Sequence, residues 1–200
     1  MDKGSDETTQ HMAQLLAQVK RLCQANNCDR LFLHLCDVAK EAKALASRCG
    51  INEDQAYMAG LLHDIGGIFP NDQRIAKAKA FHIPLFKEEI ALPMIIHQKL
   101  SKVLAEQHFL ISDEAILLAI SCHTTLKADA SVLDKVVFIA DKIQWDGEGE
   151  PPYLSGLLDA LDTSLSDACL YYILYLLAHD IKVLHPWLIE AKLSLEAELI

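Results

Sequence analysis

The sequence is poor in the residues that interrupt helices. Its 200 residues include only eight glycines and six prolines, and aromatic residues make up 6% of the chain. No stretch alternates apolar and polar residues for long enough to predict a β-strand, and no repeat or low-complexity tract is present. These absences favour long helices over many short strands. The length allows one sizeable core and is too small for two comfortable domains.

The chain also lacks positive charge and long apolar runs. A formal net charge of −10 argues against non-specific binding of nucleic acid phosphates. Any phosphate-bearing substrate would need a local positive centre, such as a bound metal ion. Outside a local run near Tyr171, charges interrupt the apolar stretches before they reach membrane-spanning length. The acidic residues 1–7 contain no apolar signal core. We therefore predict no nucleic-acid partner, no membrane association and no export.

None of the six cysteines forms a CxxC pair. Most lie in helical patterns beside aliphatic residues, where a free cysteine behaves as a small hydrophobic residue. A chain with this much apolar sequence does not need disulfides for stability. We therefore predict a reduced protein with a cytoplasmic location.

The apolar periodicity predicts an all-α protein with one domain over residues 9–200, preceded by a disordered tail at 1–8. Asn52 and Ser131 are predicted helix caps, Gly50 a helix end, and residues 147–152 a loop. The predicted helices span about 9–25, 30–48, 53–64, 70–81, 93–107, 115–123 and 131–143, followed by C-terminal helices in 153–200 that are interrupted at Pro186.

A histidine and an aspartate, His63 and Asp64, lie side by side at the end of the apolar run 56–62. A carboxylate in such a position is costly to bury unless a cation or hydrogen-bond donors meet it. Adjacent helical residues point about 100° apart, so both side chains can still converge on one metal ion. Gly66 and Gly67 then end the helix. The alternative is a buried histidine beside an unrelated helix-end aspartate.

Further ionisable residues interrupt apolar helical runs elsewhere, each on a different predicted helix. Buried charges must be paired or bound to metal, so several such interruptions in one small domain point to a shared site. Imidazole and carboxylate together suit iron, manganese, cobalt, nickel or zinc, and helical bundles build such sites from facing helices. The candidate ligands are His34, His63, Asp64, His97, His123 and Asp141.

The order of these six residues resembles the HD-domain metal-dependent phosphohydrolases, in the version with two extra histidines before the last aspartate. Four local stretches, at 30–34, 59–64, 120–124 and 133–141, resemble the YqeK family, whose members hydrolyse diadenosine tetraphosphate symmetrically to two ADP. The resemblance covers about residues 29–143 and weakens towards the end. It implies an HD-type helical bundle, one or two divalent transition-metal ions with iron as the first choice, and a small nucleotide substrate.

The resemblance also implies roles for individual residues. His34, His63, Asp64 and Asp141 would hold a metal ion, whereas His97 and His123 would bind a second ion or the substrate phosphate. Asp64 would orient or deprotonate the attacking water. The chain's own candidates for positive charge at the phosphates are Lys142, Lys127 and Arg74, and the alternative for each is a solvated surface charge.

Three features depart from the family pattern. Gly67 stands where the family usually has lysine, the stretch 123–127 lacks the family's arginine, and 142–146 replaces the family's continuation after the last aspartate. These departures keep two alternatives open: a nucleotidase or phosphodiesterase acting on another small phosphate ester, and an HD domain that binds nucleotide or metal without turnover.

The remaining histidines and tyrosines are predicted to be structural. His179 and Asp180 repeat the dipeptide without partner histidines in order, His82 and His108 fall at helix ends, and His11 and His185 carry no spacing argument. Three tyrosines at helical spacing, Tyr171, Tyr172 and Tyr175, predict core packing or the face of a homodimer.

Overall fold

The computed structural model describes residues 3–179 and 181–199, and within these ranges every regular element is helical. Short 3-10 turns cover Ile65–Ile68 and Pro93–Ile96. The all-α prediction is therefore confirmed. The α-helices are α1 (Lys3–Ala25), α2 (Asp29–Cys49), α3 (Glu53–Leu62), α4 (Asn71–Ala80), α5 (Lys87–Ala91), α6 (His97–Gln107), α7 (Glu114–Cys122), α8 (Val132–Ile143), α9 (Leu154–Thr163), α10 (Leu165–Ala178) and α11 (Pro186–Glu198).

The predicted helix signals act as expected. The Asn52 side chain accepts hydrogen bonds from the backbone N–H groups of Asp54 and Gln55, and Ser131 forms a capping box with Asp134. Gly50 ends α2 in the left-handed conformation, with φ at 68°, which an L side chain adopts only with strain. Pro186 is the first residue of α11, where its missing N–H costs nothing.

Three boundaries differ from the sequence prediction. Helix α1 begins at Lys3 instead of about Thr9, because residues 3–8 contain no proline and only one glycine to end it; residues 1 and 2 lie outside the described part. The segment after Pro93 begins as a 3-10 turn, and the α-helix starts at His97. Helix α5 was not predicted, because five residues are too few to show an apolar period.

The core is assembled around α8, which is buried along nearly its whole length from Leu133 to Ala140. Helices α2, α3 and α7 pack against it, and α9, α10 and α11 extend the same core. The C-terminal ends of α3 and α7 and the N-terminal end of α6 meet beside the N-terminal part of α2, at His34, and the last turn of α8. All six predicted ligands lie at this junction. Among the described residues, no helix combines the length and the apolarity needed to cross a membrane.

Candidate metal centre and adjoining cavity

The structure brings the six predicted ligands together in two adjoining triads. Within each triad, one ligand atom from every residue lies within 4.8 Å of the others. The imidazole rings of His63 and His123 connect the triads, with centroids 4.7 Å apart. The first triad is His34, His63 and Asp141, and the second is Asp64, His97 and His123.

Asp141 is the centre of the first triad. Its Oδ1 atom lies 3.2 Å from His34 Nε2 and 3.4 Å from His63 Nε2. The ammonium group of Lys142 contacts Oδ2 of the same carboxylate and donates to the His123 carbonyl at 3.3 Å. Burial alone would raise the pKa of Asp141, but Lys142 and the two histidines outweigh it and hold this pKa well below its usual range. Asp141 is therefore an anionic candidate ligand.

The second triad surrounds His97. Its Nε2 atom lies 3.2 Å from Asp64 Oδ1 and 2.9 Å from His123 Nε2. The Thr124 hydroxyl lies 3.0 and 3.1 Å from the same two nitrogens, and the Thr124 backbone N–H donates to the buried Gln98 side chain at 3.2 Å. Sequence reasoning missed Thr124, because a threonine after a helix end gives no signal of its own.

Three of the histidines are anchored in the same way. Each donates its Nδ1–H to the carbonyl three residues earlier: His63 to Gly60 at 2.7 Å, His123 to Ile120 at 2.9 Å, and His97 to Met94. The Gly60 and Ile120 carbonyls lie in the last turn of a helix, where carbonyls lack a helical partner one turn ahead and are free to accept. A carbonyl only accepts, so the proton resides on Nδ1 and, in a neutral ring, the Nε2 lone pair points into the centre.

The protonation of the second triad follows from its burial. Burial lowers the pKa of His97, although Asp64 opposes the shift, and it lowers that of His123 far below the usual range with the help of the neighbouring His63 and His97. Both rings are therefore neutral. The 2.9 Å contact between their Nε2 atoms then brings two lone pairs together with no proton between them.

These residues fit a bound divalent cation. Two imidazoles and one carboxylate in each triad form a nitrogen and oxygen donor set that suits a divalent transition metal. The Nε2 atom of His63 is fully buried and has no hydrogen-bond partner among the described residues, which is costly unless a cation is present. The anchored Nδ1–H groups are the outer-shell contacts that orient histidine ligands in metal sites.

A cavity of about 460 Å³ opens from the two triads, and five of the six candidate ligands line it; His63 lies behind them. Away from the candidate ligands, most of the lining side chains are aromatic or aliphatic. Lys142 and Lys182 are the lysines that line the cavity among the described residues. Lining residues that the sequence did not single out as site residues include Thr124, Thr125, Trp145, Asp146, Tyr153, Tyr172, His179, Ile181, Lys182, Val183 and His185.

Of the three predicted phosphate-binding cations, the structure brings Lys142 to the cavity. Lys127 instead pairs with buried Asp134 at 2.8 Å, at the start of α8. Arg74 donates to the carbonyls of Phe69 and Met94 at 2.9 and 2.8 Å, so its guanidinium joins two backbone segments and does not line the cavity. Lys182 lies in a loop, where a lone lysine gives no sequence signal.

Two histidines outside the predicted site also line the cavity. His179 stacks on Tyr175 with ring centroids 4.1 Å apart; Asp180, its neighbour in the repeated dipeptide, lies outside the described residues. His185 is 2% exposed, and its Nε2 lies 3.5 Å from Glu89. Neither histidine lies in a spacing pattern that would have predicted its place in the cavity wall.

The fold and the site together define a helical hydrolase with a candidate dinuclear metal centre. The sequence pattern of the HD domain matches residues 31–146, more than half of the chain. The chain belongs to the HD domain family, which confirms the predicted family and the class of HD-domain hydrolase.

Individual proteins show the same relationship. An uncharacterised protein from the pepC 5' region of Lactococcus lactis subsp. cremoris is 56% identical over 149 residues, 74% of this chain and 76% of the relative. The symmetrical bis(5'-nucleosyl)-tetraphosphatase of Staphylococcus aureus is 25% identical over 176 residues, 84% and 88% of the two chains. A crystal structure from Clostridium acetobutylicum, described as a predicted HD superfamily hydrolase involved in NAD metabolism, has a TM-score of 0.83 and 27% identity and covers 91% of this chain and 97% of its own.

Proposed function

We propose that this protein hydrolyses a dinucleoside tetraphosphate symmetrically, as diadenosine tetraphosphate to two ADP, by attack of an activated water on phosphorus. The observation that carries the proposal is the pair of adjoining triads at one end of a cavity of about 460 Å³, a volume within the range of small-molecule sites. The Staphylococcus aureus relative named for this reaction aligns with 84% of the chain, which supports the same substrate class.

The residues of the two triads would hold two divalent ions, with iron as the first choice and manganese, cobalt, nickel or zinc as alternatives. A divalent ion in such a site lowers the pKa of a bound water and polarises a phosphoryl oxygen. The Asp64 side chain is 26% exposed and faces the cavity, so its carboxylate is placed to orient the attacking water and accept its proton. Lys142 holds Asp141 in its anionic form, and the Thr124 hydroxyl is placed to donate to a phosphoryl oxygen.

One observation favours a second candidate, a nucleotidase or phosphodiesterase acting on a smaller phosphate ester. Among the residues that the structure describes, two lysines line the cavity, Lys142 and Lys182, and Lys142 is already paired with Asp141. This is little positive charge for a tetraphosphate chain besides that of the bound ions. An HD domain that binds nucleotide without turnover is the third alternative, and the complete ligand set argues against it.

Product analysis tests the proposal. The purified protein, loaded with iron, manganese or cobalt, is incubated with diadenosine tetraphosphate, and the nucleotides are separated over time. We expect ADP as the sole product and at least a hundred-fold slower turnover in Asp64→Ala. Asp162→Ala is the matched control, because this carboxylate on α9 is 84% exposed and pairs only loosely with Arg48 at 3.8 Å.

The outcomes separate the three candidates. AMP with ATP as products, or turnover of simple phosphate esters alone, would replace the symmetrical reaction with the second candidate. Bound metal without turnover of any substrate would identify a binding domain. A homodimer through the Tyr171 region and a cytoplasmic location remain predictions, to be checked by light scattering and by fractionation.

A further inference from the structure

Trp145 is a large aromatic side chain that is both exposed and anchored. It is 48% exposed although it belongs to the wall of the 460 Å³ cavity. The Tyr153 ring lies perpendicular to its indole, at a centroid distance of 6.4 Å and an interplanar angle of 89°. A Cβ atom placed on Gly147 would lie 2.2 to 2.4 Å from three indole atoms, so the Gly147 backbone lies directly against the ring.

The surroundings of Trp145 suit an aromatic ligand group. Tyr153 and His179 belong to the same cavity wall, together with aliphatic side chains such as Ile181 and Val183. The same cavity is lined at its polar end by the carboxylates and imidazoles of the two triads. A single cavity thus combines a centre for phosphate with an ordered aromatic surface, and this is the division of chemistry within a nucleotide.

We propose that Trp145 is the stacking platform for the base of a nucleoside diphosphate unit of the substrate, and that it makes the site selective for nucleotides over simple phosphate esters. The inference rests on the proposed function, since it assumes that phosphate binds at the triads. Every base presents a π-face, and stacking on an aromatic side chain is tolerant of base identity. The platform therefore selects for a nucleobase and discriminates little between adenine and guanine.

Binding measurements test the platform without relying on turnover. The chain contains two tryptophans, so Trp187→Phe leaves Trp145 as the only indole fluorophore. In this variant we expect ADP and GDP to quench the fluorescence to a similar extent, whereas inorganic pyrophosphate, which has no base, leaves it unchanged. Calorimetry on the metal-loaded protein then gives the affinities for the same three ligands.

Substitutions at the platform separate stacking from phosphate binding. Trp145→Ala should weaken ADP binding about ten-fold or more, the size of one base–aromatic stacking contact, and change pyrophosphate binding less than two-fold. Trp145→Phe should keep most of the ADP affinity. Gly147→Ala should also weaken ADP binding, because the added methyl group displaces the indole. Leu158→Ala, at a 41% exposed position on α9 outside the cavity wall, is the control and should change neither ligand.

Several results would overturn the inference: equal ADP affinity in Trp145→Ala and the unsubstituted protein, equal loss of pyrophosphate and ADP affinity, or no binding of ADP at all. The proposed reaction and the proposed stacking platform can be rejected independently of each other. Hydrolysis of diadenosine tetraphosphate with unchanged KM in Trp145→Ala would keep the proposed function and reject the platform. Quenching by ADP without any hydrolysis would keep the platform and reject the reaction.

Discussion

Three histidine side chains of the candidate metal centre already donate their Nδ1 protons in hydrogen bonds to the backbone. His63, His97 and His123 each donate to a carbonyl three residues earlier, and this fixes both the tautomer and the direction of the ring. The resulting lone pairs converge beside the Asp64 and Asp141 carboxylates. At the scale of single residues, this arrangement is stable only when positive charge lies among the acceptors.

The sequence indicated which six candidate ligands lie together, because each is an ionisable residue in an otherwise apolar run. Trp145, Thr124 and Lys182 could not, since an exposed tryptophan, a threonine and a loop lysine are ordinary in their sequence context. Lys127 and Arg74 lie near predicted ligands in the sequence, but their charges are satisfied by Asp134 and by backbone carbonyls. Proximity in sequence did not indicate which cations face the cavity.

Gly67 is the position where a single substitution tests the shortage of positive charge. The three atoms nearest to a Cβ there would be Leu31 side-chain atoms at 3.4 and 3.5 Å and Asp64 Oδ1 at 3.6 Å, so a side chain fits. We expect Gly67→Lys to lower the KM for diadenosine tetraphosphate several-fold, because the ammonium group can reach the phosphates near Asp64. Steady-state kinetics measures this effect. Gly67→Met adds similar bulk without charge, and an equal improvement in that variant would contradict the electrostatic explanation.

At the scale of helices and turns, the centre depends on how closely the 3-10 turn Ile65–Ile68 approaches α6. The Gly66 N–H donates to the buried Ser101 hydroxyl at 2.9 Å. A Cβ on Gly66 would lie 2.5 Å from the His97 carbonyl and 2.8 Å from the Ser101 nitrogen, both backbone atoms. The absence of a side chain at Gly66 therefore sets the spacing between Asp64 and His97.

Alanine substitutions of the two neighbouring glycines, Gly66 and Gly67, should have unequal effects on stability. Gly66→Ala should lower the free energy of unfolding by about 1–3 kcal/mol and weaken metal binding, because α6 must move away from the turn. Gly67→Ala should change stability by less than about 0.5 kcal/mol. Urea unfolding and metal titration of both variants measure the difference. Equal stability of the two variants would contradict the close approach.

A buried charge cluster joins α5, α6 and the start of α11. The Glu89 carboxylate accepts from Lys99 at 2.8 Å and from the Phe86 N–H at 2.8 Å, and it lies 3.5 Å from His185. These residues are distant in sequence and of types usually found at the surface, so no sequence pattern indicates that they pair. The cluster holds His185 in the wall of the cavity.

The cluster predicts a specific pH dependence of stability. Burial alone would raise the pKa of Glu89, but His185 and Lys99 outweigh it and lower this pKa below its usual value. A lowered pKa means that ionised Glu89 stabilises the fold above the unfolded pKa of about 4.3, and that this contribution is lost as the pH falls through the lower folded pKa. Stability should therefore fall more steeply from pH 5 to pH 3 in the unsubstituted protein than in Glu89→Gln.

At neutral pH, Glu89→Gln should be less stable by about 3–5 kcal/mol, because Lys99 is left buried without a counter-charge. Glu196→Gln is the control; its partner Lys192 is one turn away on an exposed face, and its loss should cost less than about 1 kcal/mol. Chemical unfolding across the pH range gives both values. Parallel pH profiles for Glu89→Gln and the unsubstituted protein would reject the assignment.

At the scale of the whole molecule, the candidate ligands come from five segments spread between His34 and Asp141. A bound metal ion would therefore link parts of the chain that are distant in sequence. The order of the residues was enough to predict that they share one site. The distances, the division into two triads and the cavity depend on how α3, α6 and α7 pack against α8, and no local pattern in the sequence specifies this packing.

Metal removal should therefore lower the stability of the entire domain. At a free metal concentration of one hundred times Kd, binding contributes about 2.7 kcal/mol. For a chain of this size, the loss lowers Tm by about 5–10 °C. Thermal unfolding with and without a chelator measures the change. His63→Ala serves as the control and should respond much less, whereas an unchanged Tm in the unsubstituted protein would show that these residues do not hold a stabilising ion.

The most direct measurement is a titration of metal-free protein with manganese, in which bound metal and ADP release from diadenosine tetraphosphate are followed together. Our account predicts no turnover without metal, two bound ions per chain at saturation, and activity that rises with their binding. Undiminished turnover in metal-free protein, or a saturated protein that releases no ADP, would contradict it.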